Sequence, residues 1–161
     1  MKRLICSFGF GLFALLMLSS WAAAQKNVTP AIDRDPILEQ DAKHNLDVAW
    51  QAYGPARKAY KQVLMRFEET FAAYPDFSKM DEFLYLAGMS SYYLAEGKGK
   101  QKVDPKNPRE KDKFAPTKLR EDAVAYLSMI VEKYPDSNFR ADAEKALKLV
   151  KSEATTAPVS H

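Results

Sequence analysis

Few side chains in this sequence are of the types that perform chemistry, and their spacing decides against most of it. The two histidines, His44 and His161, lie far apart. His44 stands between Lys43 and Asn45 on a charged stretch, and His161 is the last residue. A histidine base needs a nucleophile or a reacting group beside it, and neither has one nearby. Ser90 and Ser91 sit inside the apolar run "LAGMSSYYLA", where small residues serve close helix packing. Gly97 and Gly99 punctuate "EGKGK". With no strand before them, they read as helix terminators and not as a phosphate cradle. Asp41, Asp47, Glu68 and Glu69 are spaced as charged helix faces, and the sole cysteine, Cys6, lies near the start. No catalytic residue, cofactor or metal site is expected, and the chain reads as a non-enzyme.

Aromatic and basic residues offer binding chemistry instead. Tyrosine is amphipathic and common at protein interfaces. Tyr85, Tyr92 and Tyr93 share one apolar run, and Tyr60 follows Arg57 at the head of another. In helical repeats the first helices line a concave surface and the second ones back it. Arg57, Tyr60, Tyr85, Tyr92 and Tyr93 are therefore the candidates for contact with a protein partner. The competing reading of the three later tyrosines is that their rings fill gaps between stacked helices.

These residues need helices to hold them, and the apolar periodicity supplies several. Asp35-Pro36 has the form of a helix start: Asp caps free backbone N–H groups, and Pro suits the first helical position. The run that follows places Ile37, Leu38, Ala42, Leu46, Ala49, Trp50 and Tyr53 near helical spacing. Gly54-Pro55 interrupts it as a break or a kink, with a break between two helices favoured. A helix is predicted from Ala56 to Tyr74, with Tyr60, Val63, Leu64, Phe67 and Phe71 on one face. Ser78 and Asp81 resemble a capping box for the next helix. Leu119, Ala123, Leu127, Ile130 and Val131 then form another stripe. A last one carries Phe139, Ala143, Ala146, Leu147 and Val150, with Asp136 or Ser137 as its cap.

Tyr-Pro-Asp appears twice, at 74–76 and 134–136, each time between two such stripes. It marks two helix–turn–helix hairpins, at about 56–95 and 118–150. A lone hairpin cannot cover its own apolar face, so the hairpins must stack. The motifs stand sixty residues apart, against a period of about 34 for tetratricopeptide units. The surplus is the polar, proline-containing segment 96–117, "EGKGKQKVDPKNPREKDKFAPT". Its seven basic residues exceed its four acidic ones by a small margin, which suits a solvated connector. The expected fold class is all-α: tetratricopeptide-like helical hairpin repeats in a short α-α superhelical array, with one long inter-repeat loop. The repeat domain is expected over 36–150, with the helix around Leu46 and Trp50 packing on the first hairpin.

The ends carry signals of another kind. Lys2 and Arg3 precede the short apolar stretch "LICSFGFGLFALLML", and "WAAAQ" follows. This is the pattern of an export signal, 1–24, cleaved after Ala24. Residues 25–35 read as a flexible lead-in and 151–161 as a disordered tail. Removing Lys2 and Arg3 from the 24 basic residues leaves 22 against 21 acidic ones. That balance gives no footprint for nucleic acid. An exported chain without a thiol fits the periplasm.

The order "LYLAGMSSYYLA", a long connection, then "AVAYLSMIVEKYPDSNFRADAEKALKLV" resembles the BamD (YfiO, ComL) family over roughly residues 56–150. The resemblance implies a helical-repeat component of outer-membrane β-barrel assembly, peripheral to the outer membrane, with envelope proteins such as assembly components as partners. Any membrane association would run through those partners. Periplasmic repeat adaptors of the Tol-Pal or cell-wall type (YbgF/CpoB-like) share the Tyr-Pro-Asp turn and supply the alternative. An envelope enzyme's accessory subunit is a further, remote one. Members of the resembled family are lipoproteins with about five repeats, whereas this chain has room for two hairpins and an N-terminal helix or two.

Overall fold

Asp35 does what its type and position require. In the computed structural model its Oδ1 accepts from the amides of Ile37 (2.8 Å) and Leu38 (3.3 Å), and Pro36 opens the helix. The structure describes residues 34–156, all of whose regular elements are helices. The predicted export signal and most of the lead-in lie outside the described residues, as do residues 157–161. Helix α1 spans Pro36–Tyr53 and turns Ala42, Leu46, Ala49 and Ala52 into the core.

Gly54-Pro55 makes a full break. The amides of Arg57 and Lys58 fold back on the Gly54 carbonyl at 3.0 and 2.9 Å. Lys58 takes a left-handed φ of 45°, which ends any helical continuation. Helix α2 therefore spans Tyr60–Ala73, four residues later than the sequence predicted, and Arg57 lies in an exposed turn instead of on a helix.

Both Tyr-Pro-Asp segments form the same turn. The amide of Phe77 bonds the Tyr74 carbonyl (3.3 Å) and that of Ser137 the Tyr134 carbonyl (3.1 Å). One residue triplet later, Met80 bonds Phe77 (3.1 Å) and Arg140 bonds Ser137 (3.2 Å). Helix α3, Met80–Ala95, follows the first turn. The capping box expected there does not form, because Ser78 bonds Glu39 of α1 through both its amide and its hydroxyl. Asp81 instead accepts from Ser137 Oγ of the second turn at 2.6 Å, tying the two turns together.

The connection after α3 is more ordered than its composition suggests. Asn107 caps a short helix α4, Pro108–Lys113, and α5, Pro116–Lys133, starts inside the expected loop. Lys61 of α2 reaches Glu110 Oε2 (2.7 Å), which also accepts from the Asp104 amide (2.9 Å). Lys113 pairs with Glu68, Arg120 with Glu96, and Phe114 is buried. Helix α6, Arg140–Thr156, runs into the segment expected to be disordered.

Packing follows chain order. Helix α1 lies on α2, α2 on α3, α3 on α5, and α5 on α6, with the most extensive contact between α3 and α5. That crossing is close because Gly88 has no side chain: a Cβ there would stand 2.7 Å from Leu127 Cγ. Phe67, Phe83, Met80, Leu84, Leu86, Leu127 and Ile130 fill the space between these helices. The result is the stack of helical hairpins that the stripes demanded.

Candidate functional site

The break after α1 and the end of α3 bring aromatic rings from three segments to one end of the stack. Tyr53 closes α1, Tyr60 opens α2, and Tyr93 stands in the last turn of α3. Their ring centroids are 5.8 Å (Tyr53–Tyr60), 6.3 Å (Tyr53–Tyr93) and 5.3 Å (Tyr60–Tyr93) apart. Trp50 meets Tyr53 edge-on at 5.9 Å, its indole N–H donating to Glu82 at 2.7 Å. Tilted rings at these separations attract beyond their buried area, and together they form an aromatic wall.

A pocket of about 470 Å³ opens against that wall, lined by Tyr53, Pro55, Lys58, Tyr60, Tyr93 and Lys98. Lys98 reaches it from the segment after α3 and lies over two rings, 5.1 Å from Tyr92 and 5.7 Å from Tyr93. A cation over an aromatic face is held by the ring quadrupole. Gly97, with φ 65°, turns the chain for this approach. The same segment props the strained turn: Lys100 N–H bonds the Lys58 carbonyl (3.0 Å), and Lys100 Nζ bonds the Ala56 carbonyl (2.7 Å).

Burial pushes the Tyr53 hydroxyl far above its ordinary range, with Tyr93 and Tyr85 adding to it. Burial and then Tyr93 raise Tyr60. Tyr92 is pushed up to about 12, first by burial and then by its hydrogen bond to Glu153, 2.8 Å away. These hydroxyls stay protonated at neutral pH and remain hydrogen-bond donors.

Of the five residues singled out in the sequence, four gather here. Tyr60 and Tyr93 line the pocket, Tyr92 lies beneath Lys98, and Arg57 stands in the adjoining turn. Tyr85 is not among the lining residues; its ring lies tilted against Phe139 at 5.2 Å. Sequence reasoning missed Tyr53, Pro55, Lys58 and Lys98. Tyr53 was readable only as one more stripe residue, and the two lysines only as charge. Position is the signal they share: Tyr53 and Pro55 flank Gly54, Lys98 stands between Gly97 and Gly99, and Lys58 ends the turn that Gly54-Pro55 begins.

His44 is exposed on α1, and His161 lies outside the described residues. Among the described residues no group of His, Cys, Asp and Glu is placed to hold a metal, and no helix is long and apolar enough to cross a membrane.

Stacked helical hairpins with an aromatic pocket at one end define a helical-repeat protein of the tetratricopeptide type. The family is shown by the chain itself: residues 13–156 match the model of YfiO, described as an outer membrane lipoprotein, and the chain belongs to that family. Cys6 lies outside the matched residues. No curated protein and no solved structure matches the chain at a significant level.

Proposed function

We propose that this protein is an exported, non-enzymatic scaffold that binds envelope proteins in outer-membrane β-barrel assembly. Membership of the YfiO family supports the setting. The observation that carries the binding role is the open aromatic pocket with lysines at its mouth. Tyrosine-rich, partly desolvated hollows are where protein interfaces concentrate their energy. The protein is expected in the periplasm, its leader removed after Ala24, and at the outer membrane through its partners.

Affinity capture from cross-linked cells tests this reading. Recovery of β-barrel assembly components is the expected result. Recovery of cell-wall synthases in their place would move the protein to the Tol-Pal type of adaptor, and neither would leave the scaffold reading without support.

A further inference from the structure

We infer that the pocket between Tyr53, Tyr60 and Tyr93 binds an extended, acidic, proline-containing segment of a partner protein, an inference that rests on the scaffold reading above. Charge complementarity is the first argument. Away from the lining, Lys61, Lys113 and Arg120 are each paired, with Glu110, Glu68 and Glu96. Among the described residues no carboxylate pairs with Lys58 or Lys98, the two cations of the lining. Two lining lysines with no carboxylate partner, one of them held over tyrosine rings, favour an anionic ligand in an otherwise aromatic hollow.

The lining narrows the ligand class. A sugar is usually gripped by side-chain carboxylates and amides that bond neighbouring hydroxyls, and none of the six lining residues has either group. What the lining offers is tilted tyrosine faces, a proline and hydroxyl donors. That is the chemistry that accepts prolyl rings and backbone carbonyls of a polyproline-type strand, which loses little entropy on binding. A carboxylate beside the proline would meet Lys58 or Lys98.

The backbone agrees. Lys58 is the only residue other than glycine with a positive φ among those described, and it lines this pocket. Such a conformation is strained for a residue with a Cβ and persists where surrounding contacts impose it, commonly at ligand sites. Here the 97–101 segment imposes it through Lys100, and Gly99 lets that segment close on Tyr60, since a Cβ would stand 3.1 Å from its ring.

The test is fluorescence anisotropy of a labelled peptide of four Glu-Pro repeats with the full chain. Saturable binding is expected. It should weaken at least about ten-fold with Gln-Pro repeats, with Glu-Ala repeats, and in the Lys58→Glu/Lys98→Glu double variant. Circular dichroism confirms that the double variant folds; if it does not, Lys98→Gln alone should still weaken binding measurably. Absence of saturable binding, equal binding of Glu-Ala repeats, or binding unchanged in a folded charge variant overturns the inference. Preferential binding of an N-acetylglucosamine oligomer also overturns it and assigns the pocket to glycans. If the peptide fails while wild-type protein still captures assembly components, only this inference falls; if the capture itself fails, the scaffold reading falls too.

Discussion

Helices α3 and α6 each follow a Tyr-Pro-Asp turn with matching hydrogen bonds, yet α3 is covered on nearly every side and α6 hides a single stripe. Positions sixty apart show how the same start leads to different ends. Met80 and Phe83 are fully buried in α3, where α6 has Arg140 and Ala143. Leu86 corresponds to Ala146, and Ser90 to Val150. The turn is local chemistry and survives copying. Burial is set by place in the stack: α3 lies between α2 and α5, whereas α6 has α5 as its main neighbour.

The largest test of this contrast is truncation at matched depth. Phe83→Ala removes a ring from the doubly covered helix and should cost about 3–5 kcal/mol in urea unfolding. Val150→Ala on α6 removes two methyl groups from a site that is equally inaccessible, and should cost roughly 1.5 kcal/mol. Comparable losses at the two sites would mean that α6 carries as much of the core as α3.

The α3–α5 crossing gives the next effect. Gly88→Val pushes new atoms into Leu127 and should destabilise by about 1–3 kcal/mol, despite valine's better helix propensity. Pairing it with Leu127→Ala should recover part of that loss in a double-mutant cycle. Strict additivity would show that the helices separate freely at this point, and that closeness is not what makes α3 the central element.

How much of this was readable beforehand follows the same divide between local and tertiary causes. The Asp35-Pro36 start, the two turns and the apolar stripes depend on neighbours in sequence, and they stand where their residues put them, except that Ile37, Leu38 and Phe71 of the expected stripes are exposed. The start of α2 did not, because the Gly54-Pro55 break propagates through Lys58 before a helix can begin. Ser78 was claimed by Glu39, a residue of another helix, which no local pattern announces. Asn107-Pro108 was a legible helix start hidden by lysine-rich surroundings. The YfiO likeness was legible as an ordered set of features; the pocket was legible only in part. Tyr60, Tyr92 and Tyr93 could be named, but their assembly with Tyr53 and Lys98 exists only once three segments meet.

A smaller effect probes the bond between the two turns. Ser137→Ala removes the donor to Asp81 and leaves that carboxylate short of one partner, costing about 1–2 kcal/mol. Ser137 Oγ also accepts from the Phe139 amide at 3.1 Å, so the start of α6 should fray first. Increased amide exchange in α6 with α3 unchanged would fit; equal loosening of both would show the bond serving the more buried helix as well.

The smallest effect separates the stack from its connecting segment. Glu110 accepts from the Asp104 amide and from Lys61, and these two contacts hold its carboxyl below the ordinary value of 4.5. A carboxylate with a depressed folded value contributes stability above its unfolded value and loses it as pH falls through the folded one. As pH falls below that ordinary value and through the lower folded one, protection of the Asp104 amide should therefore decline while core amides of α3 and α5 keep theirs. Glu110→Gln removes the charge at constant shape and should lower Asp104 protection already at neutral pH. If acid leaves that amide protected, the segment is held by Phe114, buried with Lys61 and Lys113 over its ring at 5.6 and 5.5 Å. In that case the connection belongs to the apolar core as fully as α3 does, and Phe114→Ala, not acid, is the change that releases it.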